Sequence, residues 1–400
     1  MLKDKKIVLG VTGSIAAYKA ADLCSMLKKD GADVTVIMTK NALNFINPIT
    51  FETLTGNKCL VDTFDRNFEY KVEHVELAKS SDLLMVAPAT ANIIAKTAMG
   101  IADDMLSTTI LACSCSKLFA PAMNTRMYEN PATLANIELL KKRGMKIIDA
   151  DTGYLACGDV GKGKLAAVAD LREALIYELC LKDMEGLKVV VTAGPTREEL
   201  DPVRFISNHS TGKMGYAIAA MAARRGAEVT LVSGASELET PYRVRRVDIV
   251  SAADMAAEVK SLWNTADIIV KAAAVADYTP LNYQSEKMKK KDSDLNIPLK
   301  RTEDILGWLG ENKRKGQVIC GFSMETENML ENSRKKLQKK NADILAANNL
   351  KVEGAGFGTD TNVVTLITAD EVRELPKMSK EDVACELLDE ILKIREKRRG

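Results

Sequence analysis

Two histidines occur in the 400 residues, and both stand inside polar motifs. His74 lies in Glu73-His74-Val75-Glu76, ahead of Ala87-Pro88-Ala89-Thr90-Ala91-Asn92. His209 lies in Ile206-Ser207-Asn208-His209-Ser210-Thr211-Gly212-Lys213-Met214-Gly215. Histidine moves protons near neutral pH, so the division suggests one active site in each half. An ordinary polar surface position is the alternative, and the neighbours must decide.

In the first half, Val11-Thr12-Gly13-Ser14-Ile15 joins an apolar strand to a helix start. Free N–H groups, two hydroxyls and the positive end of the helix dipole suit a phosphate there. The turn is not Gly-x-Gly-x-x-Gly, and the second strand ends in Thr39-Lys40 without the acid that holds an NAD ribose. A mononucleotide such as FMN therefore fits better than a dinucleotide, although a plain tight turn can carry the same residues. Three rarer patterns accompany it: Pro88-Ala89-Thr90-Ala91-Asn92, Pro121-Ala122-Met123-Asn124-Thr125-Arg126-Met127-Tyr128, and Gly153-Tyr154-Leu155-Ala156-Cys157-Gly158-Asp159-Val160-Gly161-Lys162-Gly163. Asn124 could simply cap a helix and Cys157 be an inert loop thiol. The glycines around Cys157 favour instead a mobile flap that lowers the thiol onto a ligand.

In the second half, the Asn208–Gly215 loop opens a helix and could hold an anion on its N–H groups, yet it lacks the Gly-x-x-x-x-Gly-Lys-Ser/Thr order. Small residues in Lys271-Ala272-Ala273-Ala274-Val275-Ala276-Asp277 let a flat ligand approach the backbone, or let a helix pack. Lys287-Met288-Lys289-Lys290-Lys291 follows in a polar stretch, where a solvated face is the usual meaning of a lysine run.

These motifs must be positioned by regular elements, and both halves begin alike. Ile7–Val11 and Lys188–Ala193 read as buried strands followed by a glycine turn. Helices follow to about Lys29 and over Gly212–Arg225, and then second strands at Gly31–Met38 and Gly226–Val232. Continuous apolar strands alternating with helices predict two doubly wound parallel-sheet α/β domains. The boundary falls in a short polar link, Lys182–Gly186, after a helix Val168–Leu181; a last helix from Ser379 ends in a solvated basic run, Arg395–Gly400. A formal net charge of +1 argues against a general nucleic-acid binder, and no apolar run is long enough to cross a bilayer. Eight scattered cysteines and the lack of a signal-like leader fit reduced thiols in a cytoplasm.

Together the motifs resemble the flavin-dependent cysteine decarboxylases, in the form fused to phosphopantothenate–cysteine ligases. Thr90 stands where the family's Pro-x-Ser-x-Asn has serine, Tyr128 where tryptophan is frequent, and Lys164-Leu165 where Arg-Met is usual. The Lys-x-Lys-Lys match at Lys287 follows Ala-Ala-Val-Ala-Asp-Tyr as it does in the ligases.

The resemblance implies an FMN-dependent phosphopantothenoylcysteine decarboxylase domain over 1–183, a flavoprotein fold, and a CTP-dependent ligase domain of Rossmann-like fold over 184–400. FMN would lie on Gly13, Ser14, Thr39, Pro88, Thr90 and Asn92, and would take a hydride from the cysteinyl thiol and later return it. His74 would act as base, Asn124 with Met123 would grip the substrate carboxylate, and Cys157 would protonate the enethiolate. In the ligase half CTP would activate 4′-phosphopantothenate as an acyl-cytidylate, and the cysteine amine would displace CMP. Ala273, Asp277, Lys287, Phe322, Lys336 and Lys340 would surround the nucleotide. Lys287 would neutralise charge at phosphorus, Asn208 would orient the acyl-cytidylate, and Arg204 would reach the substrate phosphate. Magnesium would arrive with the triphosphate, in part through Asp277.

The implied partners are small molecules (4′-phosphopantothenate, cysteine, CTP), with no nucleic acid and no membrane. The implied assembly is a homo-oligomer, with flavin-domain trimers that build towards a dodecamer and ligase-domain dimers. FMN pockets would lie at subunit contacts, so His74 and Cys157 of one site can come from different chains. Two other readings remain. A non-enzymatic flavin-fold regulator would keep His74 but not need both Asn124 and Cys157. A nicotinamide-dependent dehydrogenase would use Tyr283-x-x-x-Lys287, a spacing that needs one helix face and is disfavoured by Pro280 and Asn282.

Overall fold

The computed structural model describes residues 2–64, 73–155, 158–289, 296–325, 329–349, 356 and 358–398; Cys157 lies outside them. Two compact units divide the chain, Met1–Cys180 and Leu181–Gly400. Among the described residues no helix is long and apolar enough to cross a membrane.

In the first unit the apolar runs are strands covered on both faces. Lys6–Val11 is buried after its first residue, and all of Leu83–Ala89 is buried. The sheet is parallel, in the order Asp33–Met38, Lys6–Val11, Leu83–Ala89, Ser116–Pro121, Lys146–Ile147. Chain connections part to opposite faces between the second and third strands of that order, which opens a crevice beyond their carboxyl ends. The helix Ala17–Lys29 buries Ala17, Ala20, Leu23, Cys24 and Leu27, a stripe at three- and four-residue spacing, against that sheet. Helices Pro48–Thr55 and Pro131–Lys142 start by one local device, an asparagine cap followed by proline in the first turn.

The second unit holds an eight-stranded sheet: Val244–Asp248, Glu228–Ser233, Lys188–Ala193, Ile268–Lys271, Val318–Glu325, Ile344–Asn349, Val364–Thr368, Val372–Glu374. The first six are parallel, and the crevice again lies beside the first strand in chain order, between Lys188–Ala193 and Ile268–Lys271. The last two strands pair antiparallel, a departure from the all-parallel expectation. They form a hairpin around Thr368–Glu371 that carries none of the Asn-Gly or Asp-Gly signals of tight hairpins.

Two further expectations are corrected. The helix expected to reach Leu181 ends at Leu179, and Met184 of the supposed polar link is fully buried in the second unit's core. The C-terminal basic run is not simply solvated. Arg395 is 92% buried and donates to Asp267 at 2.7 Å, while Arg398 pairs with Asp343. Asp343 also accepts from Lys313 and from the Ile319 N–H, each at 2.8 Å, so the last helix is tied to the sheet by buried charge.

Removing one member of such a buried cluster leaves the others unpaired. Asp343→Ala is expected to destabilise the chain by about 3 kcal/mol and lower the thermal midpoint by roughly 6–12 °C. A loss below about 1 kcal/mol in denaturant titration would show that Arg398 and Lys313 do not depend on the Asp343 carboxylate for their place.

Candidate functional site

A cavity of about 700 Å³ fills the first unit's crevice. Gly13, Thr39, Thr90 and Asn92 line it, four of the six residues expected to hold FMN; Met127 contributes from the Pro121–Tyr128 motif. Ser14 adjoins Gly13 and turns back on the strand, its N–H bonded to the Thr12 carbonyl at 2.8 Å. Pro88 enters through its carbonyl, which accepts from the buried Thr12 hydroxyl at 2.7 Å. That hydroxyl also accepts the Thr90 N–H at 3.1 Å, locking the two loops together.

The polar groups facing the cavity suit a phosphate-bearing ligand. Helices Ala17–Lys29 and Ala91–Met99 begin at Ala16 and Thr90 without a side-chain cap, whereas Asp104, Ser251 and Ser379 cap theirs. A missing cap alone marks no site, since Ala167 also lacks one. The Thr39 hydroxyl adds a second sign: it is buried with no hydrogen-bond partner. Lys96 is already committed, at 2.6 Å from Asp103 and 2.8 Å from Asp104.

Asn124 caps the short helix Thr125–Tyr128 through the Arg126 N–H at 2.9 Å, and its amide donates to Asp159 at 3.1 Å. That bond joins the Met123-Asn124 loop to the hairpin Asp151–Tyr154/Val160–Lys164. Two glycines of this hairpin serve close approach. A Cβ on Gly163, at φ +139°, would stand 2.3 Å from the Met123 carbonyl oxygen, and one on Gly161 would stand 2.5 Å from the Thr125 hydroxyl. Here the glycine spacing, read above as freedom for a flap, seats the hairpin flat on the Asn124 loop.

His74 is half-buried on the helix Glu73–Ser80 and lines none of the cavities described here. Its neighbours Glu73 and Glu76 border a separate space of about 290 Å³ at the starting ends of the strands. Within one chain the histidine is not brought into the crevice.

In the second unit a cavity of about 410 Å³ lies beyond the carboxyl end of Ile268–Lys271. Ala273, Asp277, Phe322, Lys336 and Lys340 all line it, five of the six residues expected around a nucleotide. Lys336 and Lys340 are half-buried while Lys335 and Lys339 are exposed, as four-residue spacing on one helix face requires. Buried hydroxyls stitch the alanine strip to the first strand's turn: Thr192 accepts the Ala273 N–H at 3.1 Å and Thr196 accepts that of Ala276 at 3.0 Å. Asn208 donates to the Ala274 carbonyl at 2.9 Å. Lys287 is exposed outside the lining, in a stretch with no helix, so Tyr283 and Lys287 do not share the helix face that a dehydrogenase needs. His209 is exposed and lines none of these cavities. The Arg204 guanidinium is engaged with Asp201 and with the Met288 carbonyl at 2.8 Å.

Lys271 was missed by the sequence reading, which gave it no role although it set Ala273 and Asp277 of the same segment beside the nucleotide. It lies in the same cavity as Lys336, Lys340, Asp304 and Asp277. Burial, with the Lys336 charge adding to it, pushes its ammonium down to about 8, against the pull of Asp304 and Asp277. Burial opposes ionisation of Asp304 too, but the Lys340 hydrogen bond and the Gly307 N–H hold it below its usual range. No group of three or more His, Cys, Asp or Glu among the described residues could hold a metal ion.

Known proteins share both halves. The family model described as Flavoprotein matches residues 1–179, and that described as DNA/pantothenate metabolism flavoprotein C-terminal domain matches residues 184–394. The coenzyme A biosynthesis bifunctional protein CoaBC of Bacillus subtilis (strain 168) is 48% identical over 396 residues, 98% of this chain and 97% of its own. That of Escherichia coli (strain K12) is 43% identical over 397 residues, again 98% and 97%. A solved C-terminal domain of such a protein is 43% identical with a TM-score of 0.47, covering 54% of this chain and 99% of its own.

The position of Lys271 has a measurable consequence. It loses its proton as pH rises through about 8, and an arriving polyanion favours its return. Calorimetric affinity for inorganic triphosphate is therefore expected to fall between pH 7 and 9, and more steeply in the native protein than in Lys271→Met. Equal slopes in the two proteins would remove Lys271 from the anion site.

Proposed function

Because the chain belongs to the family of coenzyme A biosynthesis bifunctional proteins, flavoproteins with a decarboxylase and a ligase activity, we propose that its two crevices act in series on one growing substrate. The observation that carries this reading is positional. Each half has a cavity at its strand switch point, and nine of the twelve residues expected to hold FMN or nucleotide line one or other of them.

In the 184–400 half, CTP with magnesium activates 4′-phosphopantothenate. Lys336, Lys340 and Lys271 neutralise the phosphates, Phe322 and Ala273 flank the base, and Asp277 meets the nucleotide or its cation. Lys287 reaches over from its exposed segment to offset charge at the reacting phosphorus, and Asn208 orients the activated acyl group for the cysteine amine. Arg204, with part of its side chain exposed, is a contact for the substrate phosphate.

In the 1–183 half, FMN fits the orphaned Thr39 hydroxyl and the uncapped helix starts, with Gly13, Ser14, Pro88, Thr90 and Asn92 as its other neighbours. When bound it supplies a hydride acceptor for the cysteinyl thiol and then a hydride donor for the product. Asn124 holds the carboxylate through a neutral amide that lets carbon dioxide leave, with Met123 beside it. Cys157 delivers the proton that completes 4′-phosphopantetheine. His74 acts as base from a neighbouring subunit, which makes flavin-domain trimers, built on towards a dodecamer, and ligase-domain dimers the expected assembly. All substrates are small cytoplasmic metabolites.

Asn124→Asp tests the first half. Aspartate keeps the helix cap but loses the amide donated to Asp159 and sets two carboxylates side by side, so a loss of about 1–3 kcal/mol is expected and turnover is compared well below the thermal midpoint. A negative charge facing the substrate carboxylate should slow decarboxylation by roughly 100-fold or more. Wild-type turnover in that variant would refute the assignment. For the second half, pyrophosphate should appear from CTP only when 4′-phosphopantothenate is present, and absence of that release from folded protein would refute the ligase assignment.

A further inference from the structure

Asn208 and Lys287, on which the ligase reading rests, come from separate segments, and one carboxylate joins those segments. Asp201 is 1% exposed and sits in the turn of the hairpin Arg197–Glu199/Phe205–Ser207, whose second strand runs directly into Asn208. Its Oδ1 accepts the N–H groups of Val203 and Arg204, both at 2.9 Å. Its Oδ2 accepts from Arg204 Nε at 3.0 Å and Nη2 at 2.6 Å, and from the Met288 N–H at 3.1 Å. Arg204 Nη2 then donates to the Met288 carbonyl at 2.8 Å.

Both backbone groups of Met288, the residue after Lys287, are thus held by one ion pair. The Gln284 N–H adds a bond to the Leu200 carbonyl at 3.0 Å, so the lysine segment is docked on the hairpin at two points. On the far side, Ser207 donates to the Thr196 carbonyl at 2.8 Å and Asn208 to that of Ala274 at 2.9 Å, which fixes the hairpin against the nucleotide cavity. A stretch with no helix or strand has few bonds of its own to fix a side chain. Charge-assisted bonds to a buried carboxylate can do so. The Arg204 contact holds the Asp201 carboxyl well below the usual carboxylate range, so the clamp stays charged at any working pH.

We propose that Asp201 is a positioning residue of the ligase reaction, setting through Met288 where Lys287 stands relative to Asn208 without touching substrate. This rests on the reading of Lys287 as the lysine that acts at phosphorus. An asparagine at 201 keeps one acceptor for the hairpin N–H groups but turns an amide towards Met288 and Arg204, which releases the lysine segment.

The test uses the full FMN-loaded chain and follows pyrophosphate release, with decarboxylation of phosphopantothenoylcysteine as internal control. Asp201→Asn should lower the ligase kcat by about 100-fold, the scale of a misplaced catalytic group. KM for CTP should stay within about twofold, and decarboxylation should be unchanged. Met288→Pro, which removes the N–H while leaving the Asp201–Arg204 pair, should give the same loss and serves if the first variant folds poorly. The combination of Asp201→Asn with Lys287→Gln should be no slower than Lys287→Gln alone, because the clamp acts through that lysine. Multiplying losses, or an unchanged kcat in Asp201→Asn beside a crippled Lys287→Gln, would overturn the proposal. Full ligase activity in Lys287→Gln would instead show that the underlying assignment of the lysine is wrong, and the proposal would fall with it.

Discussion

In each half a buried threonine hydroxyl at the end of the first strand accepts an N–H just beyond the neighbouring parallel strand, Leu83–Ala89 in one half and Ile268–Lys271 in the other. Thr12 does this for Thr90 and Thr192 for Ala273, both at 3.1 Å. The crevice in a doubly wound sheet exists because connections diverge at this point, and nothing in that topology alone fixes its width. A hydroxyl is short, and it both donates and accepts, so it can bridge loops too close for a longer side chain. Valine would fill the same volume yet leave a part-buried N–H unpaired, at a cost of about 1 kcal/mol, and would loosen the lip that carries Thr90 and Ala273.

The same frame is adapted electrostatically to two ligands. Around the first cavity, Lys96 and Lys40 are paired with carboxylates, at 2.6 Å from Asp103 and 3.3 Å from Asp62. A phosphate there would meet mainly N–H groups and hydroxyls, enough for one monoester. Around the second cavity three lysines, 271, 336 and 340, share space with Asp277 and Asp304. Burial, with the Lys336 charge adding to it, costs proton affinity at Lys271, a cost that an arriving polyanion would offset.

Much of this was legible in the residues. Apolar strands with alternating helices sufficed for the parallel sheets, because strands covered on both faces leave no polar alternation. Motifs at strand ends pointed to Gly13 and Thr90, and the family resemblance to Ala273 and Asp277; all four line a cavity beyond the ends of strands. Other features were not legible, for reasons that differ. Lys271 closes an apolar strand, and no local pattern says whether its side chain meets solvent or a cavity. Arg395 and Arg398 read as a solvated tail because their partners, Asp267 and Asp343, lie 128 and 55 residues away. The hairpin glycines Gly161 and Gly163 looked like freedom of motion, whereas Met123 and Thr125 make them a matter of space. The edge hairpin Val364–Glu374 escaped notice because its turn carries no glycine or asparagine.

The proposed series requires the two crevices to handle the same molecule in succession. The most direct measurement supplies the FMN-loaded protein with 4′-phosphopantothenate, CTP and cysteine labelled with carbon-13 in its carboxyl group. Labelled carbon dioxide should accumulate one for one with pyrophosphate, and neither should form without the acid. Pyrophosphate released in full while the label stays in organic product would contradict the proposed series.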